Sequence, residues 1–532
     1  MRVLIFHGYL LGGTGSNVYN ARLAEALVRL GHDVHLLCQE RHPEQHAFIG
    51  AAGDWDGGAL RVRALPGAGA RDPGSAAAGS CTVYRPDIGG LLPVYVADRY
   101  EAVQARTFAQ CSDAEITSYV EANVAAVREL LATVRPELAL ANHLVMGPAI
   151  LARGLGGEVP YAVKVHGSAL EYTVKPEPGR FLPWAREGLA GASAVLVGSR
   201  HTAESLWRAL EDEDLPRRTR LGPPGVDVER FAPRERLAAA AGVRDLAESL
   251  RRDVPAEAGE QGASAFARDG REAARALALV EPGEDALVAF VGKLIVSKGV
   301  DLLLAAFPLV LAEVPRARLV VVGFGAYRDG LQSLLEALAE GDLAAAAALA
   351  RAGRRLEDPS APAEPLRHLL AFLERLRGGE RERYVRAAGA LRERVLLTGR
   401  LDHEELAELL PACEAIVVPS TFPEAFGMVA AEAAACGALP LSAAHSGLAE
   451  VSEELARAVP AAAAPLLSFP VDDRAVEAIA ERLVGWLGAD PALRASTRSG
   501  LVAVVRERWS WEGVARGVIA AARGDLDALR EP

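Results

Sequence analysis

Short, almost wholly apolar runs, separated by stretches of helical period, set the pattern of this chain. The first run is Arg2-Val-Leu-Ile-Phe, whose apolar positions do not alternate with polar ones, which predicts a strand covered on both faces. A glycine-rich turn, Gly12-Gly-Thr-Gly-Ser16, leads into a helical period from Val18 to Leu30 that Gly31-His-Asp closes. Val34-His-Leu-Leu-Cys then completes a β-α-β unit, and the right-handed crossover of such a unit makes its strands parallel. Comparable runs return at Leu138-Ala-Leu-Ala, Tyr161-Ala-Val-Lys-Val and Ala194-Val-Leu-Val. A second series begins at Ala286-Leu-Val-Ala-Phe-Val and continues through Arg318-Leu-Val-Val-Val, Arg394-Val-Leu-Leu and Ala415-Ile-Val-Val. Two doubly wound α/β domains are therefore predicted, and ligands of such sheets bind beyond the carboxyl ends of the strands.

Three stretches exceed this plan. Residues 50 to 80 are rich in Gly, Ala, Asp and Pro and read as a long loop or partly disordered insertion. Residues 234 to 280 carry dense Arg, Glu and Ala at helical spacing, near the expected connection between the domains. Residues 331 to 393 are also mostly helical, with a break at Asp358-Pro-Ser-Ala-Pro, where one crossover helix would suffice. An extra helical subdomain is expected there.

Composition removes several classes of function. Half of the 532 residues are apolar, which excludes wholesale disorder. A net charge of -12 argues against broad binding to nucleic acid or anionic membrane. The small basic run Arg217-Arg-Thr-Arg220 reads as a solvated loop. Five cysteines without a Cys-x-x-Cys pair suggest neither a zinc site nor a disulfide framework. The N-terminus is unlike a signal peptide, and no apolar run reaches about 18 residues, so a soluble, cytoplasmic protein is expected.

Candidate chemistry concentrates in Pro419-Ser-Thr-Phe-Pro-Glu424-Ala-Phe426-Gly427-Met428-Val-Ala-Ala-Glu432-Ala-Ala-Ala-Cys-Gly437. The run after Phe426 is a strong helix former, so Glu424 stands at the helix entrance and Glu432 roughly 12 Å further along at helical rise. Backbone N-H groups near Gly427 and Met428 can receive an anion at the helix start. A chance pair of solvated glutamates is the competing reading, but a carboxylate among Val429-Ala-Ala and Ala433-Ala-Ala-Cys needs a partner.

This block resembles that of the family 4 retaining glycosyltransferases, which carry Pro-Ser, Glu-x-Phe-Gly, four residues, Glu-Ala and a closing Gly at this spacing. The resemblance covers most of the chain outside the three insertions and is strongest over 286 to 330 and 394 to 450. It implies a GT-B fold of two facing Rossmann-like domains with an interdomain cleft. The expected division is 1–228 with a returning C-terminal helix 506–532, a helical linker 229–281, and a nucleotide-sugar domain 282–505 containing the insertion 331–393.

The activity implied is transfer of a hexosyl group from a nucleoside diphosphate, UDP being commonest, to an acceptor hydroxyl with retained configuration. In that picture the acceptor attacks from the leaving-group side and the departing phosphate takes its proton. Glu424 would hold donor-sugar hydroxyls, Glu432 the ribose, Lys293 and Lys298 the pyrophosphate, Leu401 the base, and Gly12 and Gly13 the phosphates and sugar. His166, at the end of Tyr161-Ala-Val-Lys-Val, would lie against the transferred sugar, and Phe426, Gly427 and Met428 would complete the donor contacts. At the first basic position the family usually has Arg; Lys293 keeps the charge but loses the planar fork. No cofactor is expected. No metal is expected either, because Asp54-Trp-Asp56 and Asp212-Glu-Asp214 read as solvated loops and the lysines would replace a cation electrostatically. Rival readings are a nucleotide-sugar epimerase or phosphorylase of the same fold, a dinucleotide oxidoreductase, for which the glycine fingerprint is incomplete, and a non-catalytic sugar-binding protein. The acceptor and the oligomeric state are not specified by these residues.

Overall fold

The computed structural model describes residues 1–12, 15–56, 58–66, 79–95, 104–252 and 269–532. The chain divides into two compact units, Met1–Gly225 with Trp509–Pro532, and Val226–Arg508.

The first unit contains β1 (Arg2–Phe6), β2 (Asp33–Leu37), β3 (Ala51–Asp56), β4 (Ala59–Ala64), β5 (Cys81–Arg85), β6 (Leu91–Val94), β7 (Gln104–Thr107), β8 (Leu138–Asn142), β9 (Tyr161–Val165), β10 (Ala194–Val197) and β11 (Thr219–Leu221). Nine of them form one sheet in the order β11-β10-β9-β8-β1-β2-β5-β3-β4, while β6 and β7 pair separately. Strict two-residue alternation explains why apolar runs without polar gaps suit this sheet. Leu4 and Phe6 point into one buried layer with Tyr119, Val120 and Val127 of the helix Asp113–Val134. Val3 and Ile5 point into the opposite layer, with Leu23 and Leu27 of the helix Gly15–Arg29 and with Trp511, Ala515 and Val518 of the returning helix Trp511–Arg523.

The stretch read as a loop over 50 to 80 is different where it is described. β3 and β4 make an antiparallel hairpin that joins the sheet through β5. A bidentate pair between Arg85 and Asp54, at 2.7 and 2.8 Å, and a hydrogen bond from Trp55 Nε1 to Glu129 Oε2 hold it. Composition concealed this because the hairpin is an edge element fixed by ion pairing rather than by apolar residues. Residues 67–78 of that stretch lie outside the described residues. The Arg217 to Arg220 run is likewise built in: Arg217 pairs with Asp214, Arg218 with Asp212, and buried Arg220 donates to the Leu526 carbonyl. These partners also occupy the acids of Asp212-Glu-Asp214, while Asp54 belongs to a strand, not to a loop.

The second unit has one parallel sheet of β12 (Ala286–Val291), β13 (Ala317–Val322), β14 (Val395–Gly399), β15 (Ala415–Val418), β16 (Leu439–Ala443) and β17 (Ser468–Phe469), ordered β14-β13-β12-β15-β16-β17. The chain runs outward from β12 to β14 and then returns to β15, so the direction of winding reverses between β12 and β15. That reversal opens a crevice at their carboxyl ends. In the first unit the same reversal falls between β1 and β8.

Helices Arg236–Arg252 and Gly270–Leu277 belong to the second unit, where Arg234 pairs with Glu408 and Arg328 with Glu272. Between β13 and β14 lie helices Arg328–Ala339, Leu343–Ala352, Arg367–Arg375, Gly378–Ala388 and Leu391–Arg394. Tyr384 anchors this group by donating to the Ala305 carbonyl at 2.9 Å. The break at Asp358 is a turn in which its carboxylate accepts from the backbone N-H and hydroxyl of Ser360.

Candidate active site

In the second unit, Lys293 and the segment Pro419 to Gly427 leave the carboxyl ends of β12 and β15, on the two sides of the winding reversal. The backbone around Lys293 is pinned to the end of β13: Gly292 donates to Val322 and Leu294 to Phe324. Only glycine fits opposite it, because a Cβ at Gly323 would lie 1.9 Å from the Gly292 carbonyl oxygen. Lys298 ends a short 3-10 turn, Val296–Lys298, and Gly299, at φ 66°, caps the helix Val300–Glu313.

Lys298 Nζ forms a hydrogen-bonded ion pair with Glu424 Oε1, which also accepts from Ser420 Oγ at 2.6 Å. Burial alone would push the Glu424 carboxyl up; the Lys298 ammonium, its hydrogen bond and that of Ser420 outweigh burial and hold it below the usual carboxylate range. The surrounding loop is clamped from β16. Ser446 Oγ accepts from the Glu424 backbone N-H at 2.9 Å, and His445 Nε2 donates to the Ser420 carbonyl at 2.8 Å. A Cβ at Gly447 would meet the Ala425 and Phe426 backbone at 2.7 Å, so this glycine is what lets the clamp close.

The helix after this loop runs Met428–Ala435, so Glu424 lies outside it, and helical rise does not measure its separation from Glu432. The loop stays irregular because its polar groups bond to the β16 exit and to Lys298 rather than to a helical ladder. Gly427, at φ 123°, is the helix cap, and Phe426 is buried. Glu432 is 4% exposed and does have a partner: His403 Nε2 donates to its Oε1 at 2.7 Å. His403 Nδ1 is buried without a hydrogen-bond partner, and its ring sits 4.7 Å from that of Phe231. Leu401 is buried; its neighbour Arg400 is half-buried, pairs with Asp402 at 2.8 Å and has its guanidinium 6.0 Å from the Phe324 ring centroid.

In the first unit, the residues leaving β1, β8 and β9 form a buried polar cluster. His166 Nε2 bonds to Asn142 Oδ1 at 2.8 Å, Asn142 Nδ2 donates to Asn20 Oδ1 at 2.7 Å, and Asn20 Nδ2 meets His7 Nδ1 at 3.0 Å. Since an amide nitrogen only donates, His7 accepts at Nδ1 and carries its proton on Nε2, which lies 2.9 Å from the Leu10 carbonyl and 3.0 Å from Asn17 Oδ1. Asn17 in turn donates to the Gly12 carbonyl. Gly13 lies outside the described residues.

His143 packs against this cluster with its ring 4.9 Å from His166 and 4.4 Å from Tyr95; neither of its ring nitrogens has a hydrogen-bond partner. Its φ of 68° is left-handed, uncommon for a residue with a side chain. Burial pushes His7 down to about 4 and His143 and His166 well below the usual imidazole value, with repulsion from a protonated His7 adding for His143, and from His143, Lys164 and His7 for His166. All three imidazoles are therefore neutral at pH 7. The same burial brings Lys164 down to about 7; its Nζ donates to the Gly222 carbonyl at 2.6 Å.

The sequence reading gave Ser420 and Ser446 no role and missed His403 and His445 in the second unit, and His7, Asn17, Asn20, Asn142 and His143 in the first. Their signal was positional: each stands at, or just past, the carboxyl end of a parallel strand or opens the helix after one, apart from Asn17 and Asn20 on the first helix.

Two doubly wound parallel sheets, the second with a lysine-glutamate pair at its winding reversal, define the class as GT-B. Residues 14–214 match the family model of a glycosyl transferase 4-like domain, and residues 276–342 and 378–483 match glycosyl transferases group 1. The chain belongs to the GT-B glycosyltransferases of family 4 type. It is 30% identical over 262 residues to a D-inositol 3-phosphate glycosyltransferase of Segniliparus rotundus, covering 49% of this chain and 44% of the relative. A protein of the same name from Xylanimonas cellulosilytica is 27% identical over 356 residues, covering 67% of this chain and 63% of the relative. The match thus spans less than two thirds of the length of either relative. Among solved structures, HepE of Anabaena in complex with UDP-glucose aligns over 99% of this chain and 100% of that chain at a TM-score of 0.52 and 14% identity, a likeness of fold. Among the described residues, no helix is long and apolar enough to cross a membrane, and all five cysteines are free and buried.

Proposed function

We propose that the protein is a retaining hexosyltransferase that takes its sugar from a nucleoside diphosphate, with UDP the first candidate, and passes it to an acceptor hydroxyl. The observation that carries the reading is the Lys298-Glu424 pair on the crevice between β12 and β15, flanked by Lys293 and followed by buried Glu432. A diphosphate supplies the charge that lets Lys298 turn from Glu424, freeing the carboxylate to accept hydrogen bonds from sugar hydroxyls. Lys293 takes the same phosphates, Glu432 with His403 behind it takes the ribose, and the backbone at Leu401 takes the base. Helix-start N-H groups at Gly427 and Met428 add to phosphate binding. In the first unit, Gly12 and neutral His166 are proposed contacts for sugar hydroxyls.

Charge developing on the departing diphosphate is balanced by the two lysines, so no divalent cation is needed, and the phosphate oxygen takes the acceptor proton. HepE with its UDP-glucose, and the two relatives named as D-inositol 3-phosphate glycosyltransferases, support UDP-glucose with D-inositol 3-phosphate as the first donor and acceptor to assay. The test is thermal-shift screening against UDP, ADP, GDP and their sugars, followed by product stereochemistry in excess EDTA. Specific stabilisation by one nucleotide, lost in Lys298→Ala, is the expected result; no stabilisation by any nucleotide overturns the reading.

A further inference from the structure

At the amino-terminal edge of the second sheet, the edge opposite Lys293 and Glu424, lies a cavity of about 620 Å³. It is bordered by the residues that precede β12, β13 and β15, namely Asp285, Arg316 and Glu414. Five guanidinium groups line it: Arg234, Arg236, Arg316, Arg494 and Arg498. In a chain of net charge -12 this is a concentrated positive concavity.

Three carboxylates, Glu284, Asp285 and Glu414, share the lining and Arg234 is paired with Glu408, yet the guanidinium groups remain in excess. Asp285 is held by two further arginines, Arg318 at 2.6 Å and Arg394 at 2.9 Å, so its local environment is itself positive. Glu414 is shared by Arg494 at 3.6 Å and Arg498 at 2.5 Å, one carboxylate for two guanidinium groups. The Nε of Arg498 is buried with no hydrogen-bond partner. Arg236 is satisfied only by the Gly283 carbonyl, which brings no charge. Arg316 is exposed and forms no ion pair among the described residues. Two long helices, Arg236–Arg252 and Pro491–Arg508, begin at the rim and add the positive ends of their dipoles.

We infer that this cavity is a binding site for a small oligoanion carrying at least two phosphate groups, distinct from the crevice between β12 and β15. Its volume admits a ligand of the size of a sugar bisphosphate or a short oligophosphate. Guanidinium forks grip phosphate oxygens two at a time, and Arg316, which forms no ion pair among the described residues, is the donor such a ligand would complete.

The test is calorimetric titration of the full chain at fixed ionic strength with tripolyphosphate and, separately, fructose 1,6-bisphosphate. At least one is expected to bind, with affinity reduced about tenfold or more in Arg316→Ala and lost in Arg316→Glu, while Lys298→Ala leaves it unchanged. Arg316 is exposed and unpaired, so its replacement should leave folding intact, checked by circular dichroism. Stronger binding of tripolyphosphate identifies a free oligophosphate, and stronger binding of the bisphosphate identifies a phosphorylated sugar; either supports the site. Failure of both to bind, or binding that Arg316→Glu leaves intact, overturns it. Nucleotide binding at the other edge is read separately by UDP titration, so failure of one proposal does not imply failure of the other.

Discussion

The carboxyl edges of the two sheets share a topology and differ in electrostatics. Beyond β1, β8 and β9 the cluster consists of amides and three imidazoles that burial keeps neutral. Beyond β12 and β15 it consists of a lysine-glutamate pair and a histidine-glutamate pair. Neutral donors and acceptors suit hydroxyl groups, whose hydrogen bonds need no counter-charge. Paired charges suit a phosphate, which exchanges one ionic partner for another without stranding a buried charge. The same strand-end position thus carries neutral groups in one unit and paired charges in the other.

The largest effect should come from breaking the charged edge. In Lys298→Ala, Glu424 loses its counter-ion and burial pushes its carboxyl up. Transfer from the donor identified by thermal shift should fall by about 10²-fold or more, with nucleotide stabilisation lost in parallel. Glu424→Gln in the same assay should impair transfer while retaining nucleotide stabilisation, because it removes a proposed sugar contact and leaves Lys298 free for phosphate. Equal loss of both signals in Glu424→Gln would place this residue on the phosphate side instead.

Breaking the neutral edge should cost less. His166→Ala removes a hydrogen bond to Asn142 and the proposed sugar contact, so kcat should fall by about tenfold with nucleotide binding intact. Because burial holds His166 well below the usual imidazole value, the pH profile of kcat should show no acid limb near 6.5 from this residue. A limb near 6.5 that disappears in His166→Ala would show that it is a charged participant.

The pattern of buried runs was enough to read two parallel sheets, and Lys293 and Glu424 do follow the carboxyl ends of β12 and β15, because charge beside a buried run is conspicuous in a sequence. The relation between Glu424 and Glu432 was misjudged because the loop bonds to Ser446 and Lys298, partners 22 and 126 positions away. His403 and the amide cluster escaped notice for a similar reason: their partners, Glu432 and the residues after β1, β8 and β9, are remote in sequence. The hairpin of β3 and β4 was missed because Asp54 and Arg85 look like surface charges until strand pairing brings them together.

His403 sharpens the comparison within the charged edge itself. If it positions Glu432 for a ribose, His403→Ala should raise KM for the donor about fivefold with little change in kcat, since one hydrogen bond to a carboxylate is lost and the carboxylate remains. His403→Gln, which keeps a donor, should restore most of the affinity. A fall in kcat at constant KM would instead tie His403 to the chemical step.

The smallest effect on activity, and one visible mainly in stability, concerns Asp301 beneath the charged edge. This carboxyl is 3% exposed on the first turn of the helix Val300–Glu313, and burial raises it from 3.8 to about 7, with a backbone hydrogen bond only partly opposing the shift. Between those two values the folded protein keeps a proton that the unfolded chain has lost. The stability that Asp301 contributes is therefore fully present below its unfolded value and is lost as pH rises through about 7, opposite in sign to the contribution of Glu424, whose lowered carboxyl loses stabilisation as pH falls. Asp301→Asn, isosteric with the protonated form, should raise stability more at pH 8.5 than at pH 5, the difference being on the order of 1–3 kcal/mol. Urea denaturation at the two pH values measures this, and an equal effect at both would mean that the Asp301 carboxyl ionises in the folded protein without penalty.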